Sequence, residues 1–90
     1  MNEQLSLVTL RVGQSARVEE IEADPAMRRR LLDLGLIRGT QVTCMARSPA
    51  GDPAAYLIRG AVIALRGRDA LGSMVAGLRE PEVGRRAVLA

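Results

Sequence analysis

The sequence predicts a mainly β fold, a small and strongly bent barrel of five to six short strands with one inserted α-helix over about residues 25–34. Three observations carry this prediction. Apolar residues alternate with period two in several short runs, glycine and proline punctuate the chain at intervals of roughly ten residues, and one stretch alone takes up a helical spacing. A sheet this small cannot shield its edges, so closure into a barrel is expected, with an OB-type barrel as the main topological rival.

Taken in order, Leu5–Leu10 is a short apolar run that reads as a first strand or extended lead-in, turned by Gly13-Gln14. Ala16–Ile21 has apolar residues at 16, 18 and 21, and the longer last step predicts a strand with a bulge or bend. Asp24 then supplies a helix N-cap, and Pro25 suits the first helical position, where no amide donor is needed. Met27, Leu31 and Leu34 recur at helical spacing as an inward stripe, leaving Arg28, Arg29 and Asp33 outward and Leu32 off the stripe. Gly35 ends the helix in a left-handed conformation, with Leu36 folding back onto Leu31. Ile37-Arg38-Gly39-Thr40 reads as a second reversal, a type II turn with Gly39 at the positive-φ position.

Thr40–Ala46 alternates, with Val42, Cys44 and Ala46 on one face. Ser48–Pro53, holding Pro49, Gly51, Asp52 and Pro53, sustains no regular structure and reads as a loop. Ala54–Arg59 resumes the extended pattern with Tyr56 and Ile58 on one face. Gly60-Ala61 is expected to reverse the chain into Val62–Arg66, whose β-branched density predicts a central strand. A single helical turn over 67–70, with Asp69 near its start, leads to Ser73–Leu78, a last strand placed to pair with the first. Residues 1–78 are expected to form one domain, and 79–90, which mix charge with Pro81 and Gly84 without any period, a flexible C-terminal tail.

Ninety residues leave room for one small core, and with Tyr56 as the single aromatic residue that core must be aliphatic. Thirteen basic residues, all arginine, stand against ten acidic ones, and the net charge of +3 admits nucleic acid, an anionic membrane surface or an acidic protein partner. Histidine is absent and Cys44 is the lone cysteine, so no zinc finger, disulfide framework, Cys/His pair or Ser/His/Asp triad can be assembled. Cys44 itself is expected to be buried and inert. Lysine is absent and no glycine-rich phosphate loop occurs, so nucleotide hydrolysis is not expected, and without a catalytic grouping an enzyme is not expected either. No stretch approaches the ~20 apolar residues of a membrane span, and the opening MNEQ does not resemble a secretory signal, so a cytoplasmic location is expected.

Leu31-Leu32-Asp33-Leu34-Gly35-Leu36, a turn ending at Gly39, Pro49-Ala50-Gly51-Asp52-Pro53, an alternating strand, Gly60, and Ala64-Leu65-Arg66 closing with Asp69 together resemble the FeoA family over about residues 5–78. The resemblance implies a small cytosolic SH3-like barrel associated with bacterial ferrous iron uptake. It implies an accessory protein, not a transporter, that docks on the cytosolic portion of the FeoB-type ferrous iron permease and meets the membrane only through that partner. No small-molecule substrate is implied. A link to transition metals follows at family level, because homologous barrels are appended to metal-dependent transcriptional repressors. A stand-alone version of that repressor domain is one alternative, and a nucleic-acid-binding small barrel is another. Barrels that bind single strands lean on aromatic stacking, for which one tyrosine is a poor platform. Arg38 departs from the family, in which proline usually precedes the glycine.

No catalytic, cofactor-binding or metal-ligating residue is assigned. Glu19, Glu20, Glu22, Asp24 and Asp52 are hard carboxylates able to hold a divalent cation only weakly or adventitiously, since nothing in their spacing makes a cage. The expected partner-binding residues are Arg28, Arg29 and Leu32 on the outer helix face, with Ile37 and Arg38 on the adjoining turn, a mixture of apolar and cationic groups suited to a protein surface. Gly35, Gly39, Gly51, Asp52, Pro53 and Gly60 are expected to be structural turn residues.

Overall fold

The computed structural model describes residues 4–81. Leu5–Ser6 (β1), Ser15–Ile21 (β2), Gln41–Arg47 (β3), Ala54–Ile58 (β4), Ala61–Leu65 (β5) and Ser73–Arg79 (β6) form one antiparallel sheet in the order β1-β6-β2-β3-β4-β5. Pro25–Asp33 (α1) joins β2 to β3, and Gly67–Leu71 (α2) joins β5 to β6. Strands β2 to β5 are a simple meander, and β6 crosses back to lie between β1 and β2.

The period-two pattern gives the sheet its inner face: Val18 and Ile21 from β2, Val42 and Cys44 from β3, Tyr56 and Ile58 from β4, and Val75 from β6 are all buried. Leu7 and Leu10 from the lead-in, and Leu31 and Leu36 from the helix corner, complete the core. Each such side chain contributes about 1.5–3 kcal/mol by leaving water.

Several elements depart from expectation for local reasons. The first strand is only β1, because Ser6 Oγ accepts from the Val8 N–H at 3.3 Å and Leu7–Thr9 winds into a 3₁₀ turn. The irregularity expected in β2 is present between Val18 and Glu20. β2 has another between Ser15 and Arg17, and a third, between Cys44 and Ala46, turns β3 about its axis, so Ala46 is exposed and does not share the buried face of Val42 and Cys44. The reversal after β4 is Arg59-Gly60 and not Gly60-Ala61: Ile58 pairs with Ala61, and Arg59 and Gly60 take φ of 52° and 85°, the type I′ signature.

The largest difference concerns β5, which is an edge strand and not a central one. The chain leaves it for α2 and crosses to the other side of the sheet, so no strand is added beyond it. Val62, on the outer face of this edge strand, is 61% exposed. Because β1 and β5 are not paired with each other, the barrel is left open at that seam. β6 extends one residue beyond expectation, with Arg79 opposite Ser15, and Gln14 Nε2 donates to Glu80 Oε2 at 2.9 Å. The remainder of the expected tail, from residue 82, lies outside the described residues. No helix among the described residues is long and apolar enough to cross a membrane.

Candidate functional site

The site expected from the sequence is built on α1 and its exit. Asp24 Oδ1 accepts from the Met27 N–H at 2.8 Å, and Pro25 occupies the first turn, so the helix starts where its orphan donors are met. At the other end Gly35 N–H donates to Leu32 O (3.0 Å) and Leu36 N–H to Leu31 O (3.1 Å), the paired bonds of a left-handed C-terminal cap. Gly35 takes φ of +110°, which calls for glycine, and a Cβ there, 2.9 Å from Arg59 Cδ and 3.2 Å from Ile58 Cγ2, would also have to displace the Arg59 stem. Leu31 and Leu36 are buried, while Met27 and Leu34 are half-buried against the same core.

Thr40 N–H then donates to Ile37 O at 2.9 Å across the turn that Gly39 permits with φ of +91°. The turn is tied to β2 by Gly39 N–H to Val18 O (2.8 Å) and by Arg17 Nη1 to Gly39 O (3.0 Å).

With its inner stripe spent on the core, α1 turns Arg28, Arg29 and Leu32 to solvent. These three line one shallow surface depression together with Ala23, Pro25 and Asp33. Leu32 and Pro25 give it apolar walls, and two guanidinium groups make it cationic. Ile37, 45% exposed, and Arg38, with its side chain 81% exposed, stand on the turn and are not part of that lining. Arg38 Nη2 lies 3.9 Å from Glu19 Oε1, a loose surface pair of small energetic weight. Asp33 is outward as the helical spacing predicts but was not among the expected partner-binding residues, and Ala23, just before the cap, was not anticipated.

The carboxylates do not converge. No group of three or more His, Cys, Asp or Glu side chains suited to a metal occurs among the described residues. Asp24 is engaged in capping α1, and Asp52 Oδ1 accepts from Gly67 N–H at 2.7 Å, supplying from the loop the cap that the start of α2 lacks. Glu22 shares a hydrogen bond with Glu20, which, with their mutual repulsion, pushes its carboxyl above the usual range. The described carboxylates therefore do not make up the donor set of a resident metal. Burial also pushes the Cys44 thiol and the Tyr56 hydroxyl up, so both stay neutral at physiological pH.

One organising residue escaped the sequence reading. Arg47 is half-buried and donates to Val8 O at 2.8 Å, to Leu10 O and to Gly51 O at 3.3 Å, clasping the N-terminal lead-in to the β3–β4 loop. Strict alternation would send Arg47 outward with Thr43 and Met45, and only the bulge after Cys44 turns it in.

In class, this is a small SH3-like barrel with a capped helix set into one corner. The chain belongs to the FeoA family: the FeoA domain matches residues 5–72. FeoA from Chlorobium tepidum, solved in solution, superposes with a TM-score of 0.72 at 34% identity, over 84% of this chain and 70% of that one. FeoA from Stenotrophomonas maltophilia, crystallised with zinc and considered as a bacterial ferrous iron transport activating factor, gives 0.70 at 29% identity, over 89% and 96% of the two chains. A manganese-dependent transcriptional repressor shares the fold, with a TM-score of 0.77 at 23% identity over 86% of this chain and 43% of its own. No curated protein matches the sequence.

Proposed function

We propose that this protein is a cytoplasmic accessory factor of ferrous iron uptake that acts without catalysis, by docking the outer face of α1 on the cytosolic portion of a FeoB-type permease. Family membership supports the link to iron uptake. The observation that carries the docking surface is the depression lined by Arg28, Arg29 and Leu32, an apolar lining beside two guanidinium groups. In such an arrangement the aliphatic group anchors and excludes water, while the cations accelerate encounter with an acidic surface. Ile37 and Arg38 extend the surface along the turn. The barrel, residues 1–78, is the docking unit in this reading, and 79–90 is a tail attached to it.

The test is the double variant Arg28→Glu with Arg29→Glu, measured for binding to the permease's cytosolic portion at two salt concentrations. An unchanged melting temperature and an affinity about tenfold weaker at low salt are expected, with a smaller loss at high salt. Full affinity at low salt in a folded variant sinks this surface.

A further inference from the structure

We propose that the open edge of β5 is a second docking surface, which takes up an extended protein segment with an apolar centre and acidic ends as an added strand. This goes beyond the role given to α1 and does not depend on it.

The backbone groups available at this edge follow from the ladder. Cys44 donates its N–H to Gln14 O (3.0 Å) and accepts from Gly13 N–H (2.8 Å), so its backbone is committed to the β2 side. Thr43, one residue earlier, therefore faces β4, where it lies opposite Leu57. Tyr56 and Ile58 then face β5, opposite Ile63 and Ala61. That leaves Val62 and Ala64 with N–H and C=O groups directed away from the sheet, and neither has another backbone partner among the described residues.

Natural edge strands are usually blunted by a charge, a proline, a bulge or extreme shortness. Here β1, the other edge, is two residues long. β5 has none of these protections: Ala-Val-Ile-Ala-Leu is uncharged, and its register with β4 runs without a shift. Its outer side chains, Val62 and Ala64, are exposed. What brackets the strand is positive. Arg59 precedes it and Arg66 follows it, both exposed, and neither has a carboxylate within ion-pair distance among the described residues.

These arginines decide the occupant. A second copy of the chain, paired so that Val62 meets Ala64 of its mate, would set Arg66 opposite Gly60 of that mate and beside its Arg59. Like charges would then crowd both ends of the joint, between molecules that already carry +3 each. A segment with carboxylates at its ends reverses that sign. At about 3.3 Å per residue, seven to nine residues reach from one arginine to the other. Main-chain bonds would give affinity, and the terminal charges would select the partner.

The probe is the synthetic peptide Asp-Glu-Val-Thr-Val-Thr-Val-Glu-Asp, titrated into the isotope-labelled full chain, beside a version with serine ends and one with arginine ends. The acidic peptide is expected to shift the Val62 and Ala64 amide resonances and slow their hydrogen exchange, with the serine version weaker and the arginine version silent. Combined Arg59→Glu and Arg66→Glu should weaken the acidic peptide roughly fivefold at low salt. Val62→Pro removes a donor that the fold does not use and should abolish binding. The acidic peptide N-methylated along its centre tests the same bonds without altering the protein and should not bind. Arg28→Glu with Arg29→Glu should leave peptide binding intact, which separates this surface from the α1 face. Unchanged exchange at Val62 and Ala64 with millimolar acidic peptide overturns the proposal. So does equal binding of the arginine-ended peptide, or protection of these amides that grows with protein concentration alone.

Discussion

β3 and β5 lie two strands apart in one sheet, and their surroundings differ in kind. β3 is bonded on both sides, by β2 and β4, and two of its side chains, Val42 and Cys44, are fully buried. β5 is bonded on one side only, and Leu65 alone among its residues is buried. The more apolar strand is thus the more exposed one. Burial follows from the face a side chain takes and from how many neighbours its strand has, and hydrophobic content alone reveals neither. The same substitution should therefore have very different consequences in the two places.

The sharpest contrast is a proline. Thr43→Pro removes a ladder donor inside the sheet and should cost about 3 kcal/mol or more, enough to threaten a marginal small domain, whereas Val62→Pro should cost under about 1 kcal/mol because an edge tolerates proline. Denaturant midpoints of the two variants give the answer, and equal losses would mean that the outer side of β5 is bonded after all.

Next in size is a matched truncation. Val42→Ala empties space in the core and should cost about 2 kcal/mol, while Val62→Ala should stay within about 0.5 kcal/mol. Similar values for the pair would erase the distinction between the strands.

The smallest effect is chemical. Cys44 in the native protein should resist a thiol reagent, whereas the double variant Cys44→Ala with Val62→Cys should label at the rate of a free thiol. Because burial raises the folded thiol above its unfolded value, the unfolded chain gives up that proton first. Stability associated with Cys44 is therefore complete below about pH 8.5 and declines as pH rises beyond it, a slope that Cys44→Ala should reduce in alkaline melts.

Local chemistry was the legible part of this chain. Asp24, Pro25, Gly35 and Gly39 each act through their nearest neighbours in sequence, so the capped helix and both reversals around it could be read directly. The inward stripe of α1 followed from spacing, and with it the outward placement of Arg28, Arg29 and Leu32. What could not be read depended on partners far along the chain. The inward turn of Arg47 needs the bulge after Cys44, and the bonds it makes reach back to Val8 and Leu10. The edge position of β5 needs β6 to cross to the far side of the sheet, which no residue within Ala61–Leu65 announces. Asp52 was read as a turn former, but its carboxylate also serves Gly67, fifteen residues on.

The place of β6 also bears on how the protein is made. On the ribosome β2 to β5 emerge in the order in which they pair, so each finds its neighbour already present. Among the described strands β6 emerges last, yet it is the one that joins β1 to the rest of the sheet. Until Ser73–Arg79 has cleared the exit, Leu5–Ser6 has no strand to pair with, β2 shows a bare edge, and the core lacks Val75. A nascent chain halted before Ser73 would carry two unprotected edges, β2 and β5, and would be a ready target for chaperones and proteases. Of the described strands, the first to be synthesised is the last to be housed.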